Sequence, residues 1–411
     1  MFVAETPIVS HTIGTMDSSR TLQSWWWIKQ GLDGSLRGAA PAAVLARSGW
    51  ARSVAGVGPY LTVQSRSGLG REAVDAAVAA LGIHELPGAR GCTYVLPAEH
   101  FALGLTLGVV SSTAERNVAR KMGVTDAEID KLCIAVKKAL RGGELAPDEI
   151  RGHVGSSCRS LGPNGLKKGI STTVPLALGA LQASGDIRRV PVNGRLDRQR
   201  YKYKLWEPNP IVKPIPLNQA YIELAKLYFR WIGPATAAEF QWFSGLGVKA
   251  AKGAMEPLGL VAVDDDRYLH ADELDAFRST TVPKEPDFKL ISSLDSLAAM
   301  LRNFPRLLAP EDNGREMIDE KGRRVAGGGL SDMPGNAIVD RGRIVGLWEY
   351  DQPKEELVYV SFIGKSKALE LAVRETEKYI REDLGDARTF SLDSPKSRAP
   401  KIELLRKQAA L

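Results

Sequence analysis

The sequence predicts an α+β protein in which three tandem winged-helix units precede a small β-barrel-like C-terminal domain. Three observations carry that expectation. An order of helix, helix, helix and two-stranded hairpin recurs along the chain. In the second occurrence, strand-like runs from Ile187 to Val192 and from Gln199 to Trp206 flank Asn193-Gly194, a strong hairpin signal. Beyond a polar linker at 276–290, which holds Pro283 and Pro286, short β-runs separated by Gly replace the helical pattern.

The first unit is expected at 19–115, after a loose arm at 1–18. Leu22, Trp26, Ile28 and Leu32 fit a helix from Ser19 to Leu36. Trp25-Trp26-Trp27 adds bulk to it, suited to core packing more than to base stacking. A helix over Ala40–Ser48, a segment from Gly58 through Gln64 and a helix over Arg71–Leu81 follow. Cys92–Leu96 reads as a strand, and Pro97-Ala98-Glu99 starts another helix. The second unit, 120–208, opens on the capping pattern Thr125-Asp126-Ala127-Glu128. A helix over Glu128–Leu140, a short helix opened by Ala146-Pro147-Asp148-Glu149 and a helix over Thr173–Ala183 lead to its hairpin. The third, 212–278, has helices over Leu217–Phe229, Ala237–Trp242 and Val248–Pro257, then a small hairpin turning at Asp264-Asp265-Asp266. The β-rich domain is expected at 288–385, closed by a helix over Ser366–Leu384, and a basic tail at 386–411.

Length and composition narrow the function. The 411 residues exceed one ordinary core, and 44% hydrophobic with 25% charged residues suits soluble globular domains. Cys92, Cys133 and Cys158 are widely spaced without a CxxC, which argues against disulfides and zinc and for a reducing compartment. The five histidines form no HxxxH or HExxH pair, so neither a metal nor another cofactor is expected. No stretch approaches the roughly 20 apolar residues of a spanning helix, and the first residues lack a signal-peptide pattern. A cytoplasmic monomer with no membrane partner is the expectation.

Charge points to a polyanion. The formal net charge is +7, and the segment from Asp186 to Trp206 alone holds seven basic side chains against two acidic ones. Arg188, Arg195, Arg198, Arg200, Lys202 and Lys204 belong to it. The last four alternate with Tyr201, Tyr203 and Leu205, so a continuous strand would present them on one face. A solvated edge strand is the plainer alternative, but such edges rarely carry four cations without an anion. Lys167, Lys168, Thr172 and Thr173 add phosphate donors before the presumed recognition helix. The expected partner is double-stranded DNA, bound without strong sequence selectivity.

Several runs resemble one family. Gly233-Pro234-Ala235-Thr236, Glu239-Phe240, Trp242 and Ser244-Gly245-Leu246 are similar to the GPAT-x-x-(D/E)-F-x-x-W-S-G-L run of AlkZ/YcaQ-like DNA glycosylases. Arg90–Glu99 resembles their RGTLHLVPAE run, with Cys92 and Tyr94 where Thr and His are common. Leu290–Asp295 and Asn336–Trp348 resemble parts of their C-terminal barrel. The resemblance implies three winged helices and a barrel around a DNA channel, and a monofunctional glycosylase acting on alkylated or cross-linked purines. It also implies a Gln-x-Gln or Gln-x-Asp catalytic motif, matched here by Gln64-Ser65-Arg66. A Gln64 amide oxygen can orient water. Arg66 cannot act as a base and is assigned to a phosphate. The alternative is a non-catalytic DNA-binding or regulatory protein.

Weaker signals have plainer readings. Glu99 and His100 form a candidate acid/base pair, but Glu also suits a helix start there. Gly322–Gly329 reads as a flexible hairpin loop more than a phosphate loop, and Asp264–Asp266 as a turn more than a metal site.

Overall fold

The computed structural model describes residues 18–198 and 200–410, so the expected arm at 1–18 lies almost wholly outside the described residues. In the first segment, α1 (Ser18–Lys29), α2 (Pro41–Ser48), β1 (Ala51–Arg52), α3 (Gly58–Ser67), α4 (Arg71–Ala79), β2 (Ile83–Pro87), β3 (Thr93–Pro97) and α5 (Phe101–Arg120) follow in order. Helix α1 stops well short of Leu36 because Gly31, Gly34 and Gly38 all take positive φ. The strands form an antiparallel sheet in the order β1-β3-β2.

The second segment holds α6 (Asp126–Leu140), α7 (Pro147–Val154), α8 (Gly162–Leu166), α9 (Val174–Ala183), β4 (Ile187–Pro191) and β5 (Tyr201–Leu205). Thr125 Oγ1 caps α6 by accepting from Glu128 N at 3.2 Å. The third holds α10 (Leu217–Ile232), β6 (Ala235–Thr236), α11 (Ala237–Ser244), α12 (Val248–Met255), β7 (Leu260–Ala262), β8 (Arg267–His270) and α13 (Leu274–Arg278). Its sheet runs β6-β8-β7.

The C-terminal part comprises β9 (Phe288–Ile291), α14 (Ser296–Leu301), β10 (Glu316–Ile318), β11 (Arg324–Ala326), β12 (Asn336–Asp340), β13 (Arg343–Asp351), β14 (Glu356–Ser361), α15 (Lys367–Tyr379) and α16 (Pro395–Ala409). The expected barrel is not closed. Strands β14-β13-β12-β9 form an open antiparallel sheet, and β10-β11 is a separate hairpin. Helix α15 packs against β9 and β14, and α16 against β13 and β14, so helices cover what strand closure would otherwise protect. The expected basic tail at 386–411 is therefore largely folded. Ile402, Leu404 and Leu405 of α16 are buried, and Arg398 reaches Asp386 at 2.7 Å.

The tryptophan run is core. Trp26 is fully buried, with Trp25 and Trp27 nearly so. Trp25 Nε1 donates to Gly233 O at 2.7 Å and Trp26 Nε1 to Pro234 O at 3.2 Å. The Gly-Pro-Ala-Thr turn is thus clamped by α1 on one side. On the other it starts α11 through a capping box, in which Thr236 Oγ1 accepts from Glu239 N and Glu239 Oε2 accepts from Thr236 N. One apolar core joins α1, α5, α10 and the C-terminal sheet, and a second joins α2, α3 and α4 to that sheet and α15. The second segment keeps a core of its own, from Leu132 and Val136 through Leu181 to Tyr203. Its separate packing leaves a cleft against the first segment.

Candidate active site

That cleft holds a cavity of about 470 Å³. From the first segment come Pro87, Thr93, Gly108, Ser111, Ser112 and Glu115, and from the second Asp148, Arg151, Ser171, Thr172, Gly179, Arg189 and Tyr203. Small residues make the shape. A Cβ at Gly108 would sit 2.9 Å from Pro87, so α5 lies tight on the β2 end. A Cβ at Gly179 of α9 would lie 3.7 Å from Glu115 Oε2, so the absent side chain leaves room beside that carboxylate.

Glu115 is the carboxylate that α5 turns into the cavity. Desolvation raises its pKa, and the Arg189 guanidinium opposes the rise. Arg189 is held from behind: its Nη1 lies 3.9 Å from Glu85 Oε2, and its guanidinium carbon sits 5.3 Å from the Tyr201 ring centroid. Ser53 Oγ donates to Glu85 Oε1 at 2.5 Å, both groups being buried. The cavity wall thus carries acidic Glu115 and Asp148 and basic Arg151 and Arg189, and Arg189 is backed by a polar cluster that spans the two segments. No motif announced Glu85, Glu115 or Arg189; the basic excess of the hairpin was the one available signal.

The other titratable groups nearby have structural duties. Burial, then Arg188 and Arg189, lowers the pKa of His84 to about 3, so this core imidazole stays neutral. His100 Nδ1 accepts from Trp50 Nε1 at 3.0 Å, while Glu99 stands 3.8 Å from His100 Nε2. His100 supports Trp50, and neither Glu99 nor His100 lines the cavity.

The expected catalytic pair does not come together. Gln64 and Arg66 lie two residues apart on α3, so they leave the helix on nearly opposite sides. Gln64 is half-buried, one turn beyond Tyr60, and does not line the cavity. Arg66 is fully buried. Its Nη1 and Nη2 each meet an Asp295 carboxylate oxygen at 2.8 Å, and its Nε donates to Gln30 O at 2.8 Å. Nη2 also donates to Gln30 Oε1 at 3.0 Å. The assignment of Arg66 to a phosphate is corrected: every part of its guanidinium is spent inside the protein.

The basic hairpin forms, with a different layout. Strands β4 and β5 pair with Arg188 opposite Lys204 and Val190 opposite Lys202, so Arg188, Lys202 and Lys204 share one face. Lys202 also meets Glu144 at 3.4 Å. Arg198 and Arg200 are exposed but precede the strand, which corrects the reading of four cations in one row. The reason is the 192–200 connection, which docks instead of turning tightly at Asn193-Gly194. Leu196 is buried, and its N donates to Tyr60 Oη at 2.9 Å. Arg195 is bound to Asp197 at 2.7 Å and to Leu384 O at 2.9 Å, so it is committed inward. Thr173 is likewise buried, accepting from Arg159 N at 3.0 Å. Thr172 lines the cavity, and Lys167 and Lys168 are exposed.

Among the described residues no cluster of His, Cys, Asp or Glu is arranged to hold a metal. No described helix is long and apolar enough to cross a membrane.

Sequence comparison places these features within a class, the DNA-repair glycosylases. The family described as DNA glycosylase AlkZ-like matches residues 56–377, and the chain belongs to that family. The chain is also similar in structure to the Streptomyces sahachiroi DNA glycosylase AlkZ, with a TM-score of 0.65. The two are 19% identical, and the match covers 90% of this chain and 98% of that one, a likeness of fold. No curated protein sequence matches the chain.

Proposed function

We propose that this AlkZ-like chain hydrolyses the N-glycosidic bond of alkylated or cross-linked purines in duplex DNA, and that the cavity between the first and second segments receives the target base. The three helix-and-hairpin segments act as winged helices along the duplex. The observation that carries the reading is the cavity wall: Glu115 and Arg189 line one space, and the segment that supplies Arg189 also exposes Lys167, Lys168 and Lys204. A cationic alkylpurine leaves without a general acid, so the protein has only to place water and stabilise an oxocarbenium-like sugar. Glu115 fits both tasks. Arg189, fixed by Glu85, suits the phosphate next to the target nucleotide. This reading gives the water-placing role to Glu115, which lines the cavity, in place of Gln64, which does not.

A base-release assay tests this reading. On duplexes carrying N7-methylguanine, N3-methyladenine or a mustard cross-link, the wild type frees the modified base and Gln64→Ala does so at the wild-type rate. Tight binding of all three duplexes with no base freed would instead support the non-catalytic DNA-binding reading.

A further inference from the structure

Between α7 and α9 the chain leaves the body of the second segment as a narrow loop. Ser160 and Thr172 form a bridge at its base, where Leu161 N donates to Ser171 O at 2.9 Å. The tip carries α8 and then Lys167 and Lys168. Gly165 is turned inward: a Cβ there would meet Ile170 O at 2.3 Å and Leu161 Cβ at 2.4 Å. Leu161 and Ile170 in turn pack against the small core of Ala119, Val124, Ile129 and Leu176. The next side chain, Leu166, points the other way and is 65% exposed. Lys167 and Lys168 follow it directly and are exposed. At its base the returning limb delivers Ser171 and Thr172 into the cavity wall, so the loop springs from the edge of the cavity.

This combination has a physical use. A base drawn out of a duplex leaves a gap, and the unstacking is unfavourable. An apolar side chain that fills the gap offsets that cost, and cations beside it hold the flanking phosphates. We propose that Leu166 is the wedge that enters the duplex where the target nucleotide has left, with Lys167 and Lys168 on the neighbouring phosphates. The occupant of this surface is damaged duplex DNA, and the assignment rests on the glycosylase reading above. Leu166 acts as a positioning residue: it touches the stack and holds the nucleotide in the cavity.

The test uses a duplex with a non-hydrolysable abasic analogue next to 2-aminopurine, whose fluorescence reports unstacking. Wild type produces a rapid fluorescence change. Leu166→Ala loses most of that change and slows single-turnover base release about tenfold, while its affinity for undamaged duplex stays near wild type. Leu166→Ile, which keeps the apolar bulk, retains the change. Lys167→Ala with Lys168→Ala shows the opposite pattern: affinity falls and the salt slope drops by about 1.8, or 0.9 per lost phosphate contact. The wedge is overturned if Leu166→Ala keeps the full fluorescence change, or if it weakens undamaged and damaged duplexes equally. Because the abasic analogue requires no base release, a wild type that frees no base yet needs Leu166 for the signal would contradict the glycosylase reading and leave the wedge standing.

Discussion

Arg66→Gln is expected to destabilise the protein by about 3–5 kcal/mol and to create no new activity. The pair it breaks is dry, with both side chains fully buried and two 2.8 Å contacts between guanidinium and carboxylate. Asp295 also caps α14 by accepting from Leu297 N at 3.0 Å, and Ser296 Oγ donates to Gln30 Oε1 at 2.8 Å. Removing the guanidinium leaves a buried carboxylate unpaired at a point where α1, α3 and α14 meet. Net stabilities of folded proteins are only about 5–15 kcal/mol, so the loss is a large fraction. Urea denaturation of Arg66→Gln and Asp295→Ala measures it. Replacing both partners by apolar residues of similar size recovers much of the loss, because the cost lies in the orphaned charge. Wild-type stability in Arg66→Gln would show that the pair contributes nothing.

Glu115→Gln is expected to lower single-turnover base release by about 100- to 1,000-fold, the range seen when one preorganised electrostatic group is removed. Affinity for undamaged duplex is expected to hold, because Glu115 repels phosphate and contributes no attraction to it. The pH profile supplies a second check. Desolvation raises the Glu115 pKa, and the role assigned to it needs the ionised form. Falling pH therefore protonates Glu115 and removes activity at a higher pH than an ordinary, solvated Glu would. Glu115→Gln loses that acid limb and becomes flat across the same window. Full activity in Glu115→Gln, or an unchanged acid limb, would remove Glu115 from the chemistry.

Much of the fold was legible in sequence because its signals are local. Thr125 with Glu128 marks a helix start, and the β4 and β5 runs flank the turn residues Asn193 and Gly194, whereas the glycines that end α1 after Lys29 were passed over. The Gly-Pro-Ala-Thr run identified the family for a structural reason, since it is a turn clamped by two indole groups and a capping box. What sequence could not give is pairing at a distance. Arg66 and Asp295 stand 229 residues apart, and nothing near Arg66 in sequence shows that its charge is already matched. The cavity draws on segments around 87–115, 147–151 and 171–203, so no single motif contains it. The tail was misread through its charge: Arg398 and Arg406 are anchored by Asp386 and Asp351, and the apolar positions between them are buried. The docked 192–200 connection escaped for a similar reason. Asn193-Gly194 signals a turn, but Leu196 and its hydrogen bond to Tyr60 decide where the connection lies.

The target base is expected to enter the cavity between the first and second segments. Gly179→Leu tests it most directly, because the new side chain would grow from α9 toward Glu115 and fill the space without deleting a functional group. Gly in a helix interior costs about 0.8–1.0 kcal/mol relative to Ala, so Leu, a good helix former, does not weaken α9 itself. Single-turnover base release from an alkylated duplex is measured alongside affinity for undamaged DNA. Loss of release with affinity retained is the predicted result. Undiminished release by Gly179→Leu would contradict the account and place the chemistry elsewhere on the molecule.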